Sequence, residues 1–408
     1  MRTLEEAVFW EIYTCQSCVR RDLAKRLGTS WASVSRSVDA LLSGHLVVET
    51  TSAKTMRGRR PHVLQVNPQL ATLLGLEIDR SVVTAVLTDM VGTLLGRGTV
   101  NFDASQGVQA VIEPARTAIR NALADAEVPQ KEVKHLGVGH PGVLELKSGR
   151  CEFWYNVPAW RNVPLKQFLQ DALGLPVTLD DRSRAIALAE RRASPEDGKH
   201  PNALYINSGI GVGTGIFING HLYHGSAQCG GEIGHLTVDK NGPQCSCGKQ
   251  GCVQAYAGTR ELIARVKNTL RSGAFSLLRD TYRDDLDAIT VEMIAAAAAR
   301  GDRIATQALR EAAEALGTGI AAAVQILNPS LVVLTGKLFQ AAGPIILPTI
   351  NEVVRQDCFE IFLRRLRIRL STVKKDLSAI GCALLGATCV ATGALHQKLS
   401  VGPSARAI

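Results

Sequence analysis

Four side chains with metal-ligating chemistry crowd into residues 234–252, GHLTVDKNGPQCSCGKQGC: His235, Cys245, Cys247 and Cys252, in the pattern Hx9CxCx4C. One imidazole and three thiolates make the nitrogen and sulfur set that a closed tetrahedral Zn2+ site takes. Gly248 and Gly251 allow the sharp turns needed to fold three sulfurs onto one ion. All four positions come from protein, so a zinc ion here is structural and leaves no open place for substrate. The plainer alternative is four reduced, unligated side chains. Cys15 and Cys18 form a second, isolated CxxC, which without another pair reads as helix packing rather than metal binding.

A second group of residues is suited to electrostatic work. Between Arg20 and Arg60 nine Lys/Arg face only Asp22, Asp39 and Glu49, so this tenth of the chain carries +6 of its net +9. Such a concentration points to a polyanion, with a merely solvated basic face as the alternative. In VRRDLAKRLGTSWASVSRSVDALLSGHLV, Val19, Leu23 and Leu27 recur at helical spacing and Gly28 suits a left-handed stop. Thr29 or Ser30 can cap a second helix whose Val34, Val38, Leu41 and Leu42 share one face. Its other side offers Ser33, Ser35, Arg36 and Ser37, small hydroxyls and one guanidinium that let a helix approach base edges. With Ser30 and Trp31 at the helix start, this is the predicted major-groove element. Two strands follow, over 46–50 and 62–67, around RGRRP, whose Arg57, Arg59 and Arg60 suit minor-groove insertion or phosphate clamping. Helix-turn-helix plus hairpin predicts a winged helix over 1–69, with a three-helix protein-interaction domain as the alternative.

Composition sets the frame for these elements. At 408 residues, with 46% apolar and 20% charged residues, the chain has material for two or three cored domains and not for wholesale disorder. The N-terminus lacks a basic stretch followed by an apolar run, and no window approaches the roughly 20 apolar residues that span a bilayer, so no membrane partner is expected. Ten cysteines diluted through the chain fit a reducing cytoplasm. From residue 70, strand hairpins alternate with helical stretches, twice over: LLGLEID and VVTAVLTDMVGTLL, then ALYINSGIGVGTGIFINGHLY and LVVLTG. This predicts two α/β lobes, over 70–195 and 196–408, with ligand at their interface.

Read in order, LGVGHPGVLE, YNVPAW, LGLPVTLDDRSRAIALAE, NSGIGVGTGIFINGHLYHGSAQCGGEIGHLTV, CSCGKQGCVQAYAG and ILNPSLVVLTG resemble the ROK family of sugar kinases and repressors over residues 70–390. The resemblance implies an α/β chain in which a winged helix-turn-helix precedes a two-lobed, actin-like and ribonuclease-H-like ATPase fold. It points to the same four zinc ligands. It implies that Glu232 and His235 meet sugar hydroxyls, and that the body assembles as a homodimer or homotetramer. A winged helix in front matches the repressor branch of the family.

The kinase pattern of that family is broken here. Counting back from AIALAE, Asp181, Arg182, Ser183 and Arg184 occupy the positions of N-D-A-N, so an arginine stands where the kinases carry their general base. A guanidinium with a pKa above 12 cannot take a proton from a sugar hydroxyl. A slip of one residue would place Asp181 there instead. EIDRS, residues 77–81, replaces D-x-G-G-T and sets Asp79 where a glycine admits phosphate; Asn207 and Val212 stand at glycines of the second phosphate loop, and Thr335-Gly336 replaces a double glycine. ATP is therefore not expected. The expected effector group is Asp181, Arg182, Glu232, His235 and Gln254, the last replacing a glutamate; Arg182 and Arg184 would favour an anionic sugar such as a 6-phosphate. The expected function is a sugar-responsive regulator, by default a repressor, binding double-stranded operator DNA. An ATP-dependent sugar kinase that also binds DNA, and a regulator driven by a protein partner, are the alternatives.

Overall fold

The computed structural model of the chain describes residues 3–16, 18–51, 62–155, 157–281, 285–373 and 376–400. Three helices open it, α1 (Leu4–Cys15), α2 (Arg20–Leu27) and α3 (Trp31–Ser43), followed by the hairpin β1 (Val47–Thr51) and β2 (His62–Val66). Thr3 and Glu6 close a capping box on α1, and Gly28 ends α2 at φ 60°. Ser30 Oγ accepts the Ser33 N–H and starts α3. Phe9, Ile12, Leu23, Val34, Val38, Leu41 and Leu64 fill the space between these elements. This is the winged helix expected from the sequence.

The chain then builds β3 (Leu73–Ile78), β4 (Val82–Thr88), β5 (Leu94–Asn101), α4 (Ile112–Asp125), β6 (Leu136–His140), β7 (Val143–Glu145), β8 (Arg150–Phe153), α5 (Leu165–Leu173), β9 (Val177–Asp181) and α6 (Arg182–Ala193). Five of these strands form one sheet in the order β5-β4-β3-β6-β9. The β5-β4-β3 meander is antiparallel, and β3, β6 and β9 run parallel. Parallel strands need a crossover, and their burial on both faces explains the largely apolar runs of β3 and β6, which only Glu77 and His140 interrupt.

A second unit repeats the plan: β10 (Ala203–Ser208), β11 (Val212–Ile218), β12 (His221–Leu222), α7 (Val253–Ala257), α8 (Thr259–Arg271), α9 (Leu277–Thr281), α10 (Val291–Ala299), α11 (Arg303–Leu327), β13 (Leu331–Thr335), α12 (Lys337–Asp357), α13 (Glu360–Leu363) and β14 (Arg367–Leu370). Its sheet order is β12-β11-β10-β13-β14, again an antiparallel meander extended by parallel strands. Segment 272–290 holds the one-turn helix α9 and a short 3-10 turn over Leu286–Ala288.

The last two helices, α14 (Leu377–Leu385) and α15 (Ala387–Ser400), correct two expectations. They belong to the first unit, which comprises 1–199 and 376–408, while the second spans 200–375; the sequence had placed 196–408 in one lobe. The cause is local and steric. A Cβ on Gly381 would strike the Ala185 carbonyl oxygen of α6, and one on Gly137 of β6 would strike that of Cys382, so only this thin helix face presses so closely onto sheet and helix. Leu377–His396 is also long and apolar enough to cross a bilayer, contrary to the reading that no window comes near. Packing of α14 on α6, β3 and β6 accounts for that apolar character. From His396 the chain continues α15 to Ser400; residues 401–408 lie outside the described residues.

Within the first unit the winged helix does not hang free. Its core runs on into Met90, Ala189, Ala383, Leu384 and Ala391. Gln16 Nε2 donates to the Arg191 carbonyl at 2.5 Å, and Arg192 Nη1 donates to the Tyr13 carbonyl at 3.0 Å with its guanidinium 4.0 Å from the Tyr13 ring centre. The far end of α6 is thus joined to the end of α1.

Candidate functional site

The four metal-ligating side chains converge. Their ligand atoms lie within 4.8 Å of one another, with Cys247 Sγ 3.7 Å from Cys252 Sγ and Cys245 Sγ 3.7 Å from His235 Nδ1. A tetrahedron with Zn–S bonds of about 2.3 Å has sulfurs about 3.8 Å apart, so the cluster has the dimensions of such an ion's shell. Backbone turns position it. The 3-10 turn Ile233–His235 carries the imidazole, the Cys245 N–H donates to the Lys249 carbonyl at 2.8 Å, and Thr237 bridges to Cys252. Gly248 (φ +91°) and Gly251 (φ +63°) take the left-handed turns that the sequence assigned to them, and a Cβ on Gly251 would strike the Asp239 carbonyl. Burial pushes the Cys252 thiol up to about 12 and raises Cys245. A divalent cation would offset that cost by binding thiolates, so the donor set fits zinc.

Glu232 and His235 share a cavity of about 530 Å³ with Lys249, Thr214 and the apolar side chains of Leu204, Ile216 and Ala323. Lys249 Nζ donates to the His235 carbonyl at 2.7 Å and steadies the loop. Gln254 does not join this lining. It is buried, its Oε1 accepts the Val212 N–H at 3.2 Å and its Nε2 donates to Ser246 Oγ at 3.0 Å. Its amide is spent on holding the β10–β11 turn to the cysteine loop, which the sequence, counting only from the last cysteine, could not indicate.

The other two expected effector residues lie in the first unit, where β9 meets α6. Asp181 is the N-cap of α6, its Oδ1 accepting from Ser183 N at 2.7 Å and Arg184 N at 3.3 Å. Arg182 Nη1 sits 2.8 Å from Asp79 Oδ2 and 3.7 Å from Glu77 Oε1. Arg184 Nε pairs with Asp180 Oδ1 at 2.6 Å, both side chains at most 5% exposed. Both cations expected to attract an anionic sugar therefore already have carboxylate partners. The unexpected Asp79 and the unexpected Arg182 also explain each other, since two substitutions that look damaging singly form one ion pair in the fold. Burial raises the Glu77 carboxyl, opposed by Arg182. In the second unit Asn207 Oδ1 stands against Gly336, where a Cβ would collide with it, and the Val212 side chain is turned into the core.

His140, which sequence reasoning passed over, closes β6 beside this group. It is fully buried between Trp154 and Trp160, with ring centres 4.7 and 5.0 Å away. Nδ1 accepts the Gly142 N–H at 2.9 Å, and burial lowers the ring to about 3, so it is neutral with its proton on Nε2. No sequence signal marks it beyond a histidine before Pro-Gly.

On the winged helix, Ser30, Trp31, Ser33, Ser35 and Arg36 lie in the first turns of α3, with Trp31 59% exposed. Ser30 and Ser33 also bond to each other, at 2.9 Å between hydroxyls. Ser35 Oγ accepts from Arg20 Nη1 at 2.8 Å, and the same nitrogen meets Asp39 Oδ1 at 2.7 Å, pinning α2 across α3. Ser37 is turned inward and donates to Glu5 Oε1 at 3.1 Å, so it does not share the exposed face expected for it. Arg57, Arg59 and Arg60 lie outside the described residues.

The profile of the ROK family matches residues 73–388. The chain is 31% identical over 365 residues to the xylose repressor of Caldicellulosiruptor bescii, covering 89% of this chain and 90% of that protein. It is 27% identical over 314 residues to the glucokinase of Thermotoga maritima, covering 76% and 96%. Among solved structures, a ROK family transcriptional regulator described as a homolog of the E. coli MLC protein superposes with a TM-score of 0.74 at 25% identity, over 97% of this chain and 98% of that one.

Proposed function

This chain belongs to the ROK family, and from that membership we propose that it is a sugar-responsive transcription repressor whose kinase-like body recognises its effector without phosphorylating it. The observation that carries the reading is a winged helix joined, through a shared core, to a body in which Arg182 stands at the kinase base position and is clamped by Asp79. No proton acceptor remains at that residue, and Asp181, the nearest carboxylate in sequence, is committed to capping α6.

Zinc held by His235, Cys245, Cys247 and Cys252 supplies no chemistry to substrate; it fixes the loop from which Glu232 and His235 meet sugar hydroxyls. The sugar is neutral, because Arg182 and Arg184 are already neutralised. Xylose is the first to test, given the Caldicellulosiruptor relative. The start of α3, with Ser30, Trp31, Ser33, Ser35 and Arg36, enters the major groove, Arg57, Arg59 and Arg60 contact the backbone or minor groove, and a homodimer presents two such helices to a palindromic operator. Sugar releases the operator only through different affinities for the DNA-bound and free arrangements.

Genomic footprinting with the purified protein, repeated with xylose and other neutral sugars, tests this. Protected sites beside carbohydrate-utilisation genes, lost on adding one sugar, are expected; no protected site would overturn it. The similarity to a glucokinase and the retained Gly209, Gly211 and Gly213 favour the second reading, a kinase that also binds DNA. A coupled ADP-release assay over a hexose and pentose panel separates the two, with turnover deciding for the kinase.

A further inference from the structure

Glu232 and His235 supply only one edge of their cavity; the rest of its wall belongs largely to α11 and the β10–β11 hairpin. Leu204 faces Ile216 across the hairpin and Ile206 faces Thr214, so these four side chains share one face of the sheet. On α11, Gly319, Ala322, Ala323 and Ile326 recur at helical spacing and line the same space. Three of those four are glycine or alanine, and where larger side chains would have filled the core a cavity of about 530 Å³ remains.

The polarity of that cavity is one-sided. Thr214 is the polar member of the strand face: it is 4% exposed, and its hydroxyl has no hydrogen-bond partner among the described residues. A buried hydroxyl without a partner costs about 1–3 kcal/mol, which a ligand bonding there would recover. Gly231, at φ +106°, lays the Glu232 loop directly against β11, since a Cβ on it would strike the Thr214 carbonyl oxygen. Lys249 is bonded to the His235 carbonyl of the same loop. Thr214, Glu232 and Lys249 thus mark the loop end of the cavity. Away from it the wall is aliphatic, with Leu204, Ile216, Ala323 and Leu327, and none of the described lining residues is aromatic.

Such a wall suits hydrocarbon better than a bare sugar ring. A free sugar carries hydroxyls around its whole rim, and each one pressed against aliphatic carbon loses its water without gaining a partner. The aromatic face on which the C–H side of a sugar could stack is missing from the lining, and a cavity of this size takes a ligand larger than one pentose. We propose that the cavity binds a sugar joined through its glycosidic oxygen to an apolar group, an alkyl or aryl glycoside. The sugar hydroxyls lie at Thr214 and Glu232, and the aglycone lies between α11 and the β10–β11 hairpin. This assignment rests on the reading of Glu232 and His235 as sugar-contacting residues and narrows the effector from a free sugar to a glycoside. Ile326, 81% exposed, and the exposed Cys229 thiol stand on the lining, so a bound aglycone covers apolar surface and shields a thiol.

The test uses the zinc-loaded full-length protein with 4-nitrophenyl β-D-xyloside, the matching glucoside and the matching N-acetylglucosaminide. Each is compared by calorimetry with its own free sugar and with 4-nitrophenol. One glycoside should bind about tenfold more tightly than either of its halves, through burial of the aglycone. It should also slow alkylation of Cys229 by N-ethylmaleimide while Cys389, exposed in the first unit, reacts at an unchanged rate. Ala323→Phe fills the aglycone end and leaves Thr214 and Glu232 in place, so it should cut the advantage of the glycoside over the free sugar to within about twofold. Should that variant not fold, the comparison of glycoside with free sugar and the Cys229 rates in the parent still decide the matter. Equal binding of every glycoside and its free sugar, an advantage that survives Ala323→Phe, or 4-nitrophenol binding as tightly as the glycosides overturns the proposal. So does the absence of binding by every probe with Cys229 reacting at an unchanged rate. Protection of Cys229 that grows with protein concentration in the absence of ligand would give the cavity to a second copy of the chain and overturn it as well. A glycoside that binds and protects Cys229 but leaves a footprinted genomic fragment bound keeps the site and overturns the repressor reading. A free sugar that releases the fragment with no gain from any aglycone keeps the repressor and overturns the glycoside.

Discussion

At the scale of single residues, the departures from a kinase are mutually compensating. Arg182 alone would be an unpaired cation in the sheet crest, and Asp79 alone an anion beside Glu77; together they form a 2.8 Å pair. Arg184 and Asp180 form a still more deeply buried pair. Removing one partner strands a charge, so Arg184→Ala should cost about 3–5 kcal/mol in urea unfolding, while the Asp180→Asn/Arg184→Met double variant should recover much of that loss. For the metal cluster, Cys247→Ser should lower zinc from one ion per chain to a small fraction by elemental analysis. The same variant should weaken sugar binding by at least tenfold in calorimetry while leaving the α-helical circular dichroism intact. Unchanged metal content would remove the cluster from consideration.

Elements show how tight packing limits sequence choice. Helix α14 lies so close to α6 and the sheet that Gly381 has no room for a side chain. Gly381→Val should destabilise by about 3 kcal/mol or more through overpacking, read as a fall in Tm, whereas the exposed Gly393, with nothing near it, should accept alanine without loss. Helix α3 depends on its cap: Ser30→Ala should cost about 1 kcal/mol and weaken DNA binding beyond that cost if the hydroxyl also contacts phosphate. Helix α6 begins at the Asp181 cap and ends in the Gln16 and Arg192 contacts with α1, so one rigid element touches both the crest of the first sheet and the head.

At the scale of the whole molecule, the winged helix and the C-terminal helices are one folding unit. Val8, Ile12 and Leu23 share a cluster with Leu384, Ala391 and Leu395 although more than 350 residues separate them in the chain. A chain truncated after residue 375 should therefore lose cooperative unfolding of the head, seen as early loss of amide protection in α1, even though residues 1–69 are intact. Retained protection there would show the head to be self-sufficient. Binding of DNA by the full chain should fall steeply with salt, and Arg36→Ala should reduce the slope of log K against log salt by about one unit.

The sequence alone determined whatever rests on local period and spacing: the helix-turn-helix with its Gly28 stop and a cap at Thr29 or Ser30, the wing strands to within a residue, the Hx9CxCx4C cluster with turns at Gly248 and Gly251, and the double α/β pattern. These signals are short-range, set by dihedral preference and by which side chains can reach one ion. Tertiary structure decided the matters in which distant residues compete for one space or one charge. It paired Arg182 with Asp79 and Arg184 with Asp180, withdrew Gln254 into the cysteine loop, turned Ser37 inward, and returned residues 376–400 to the first unit. Partner choice among buried charges and the depth at which a helix can press on a sheet depend on contacts far apart in the chain, and no spacing within it encodes them.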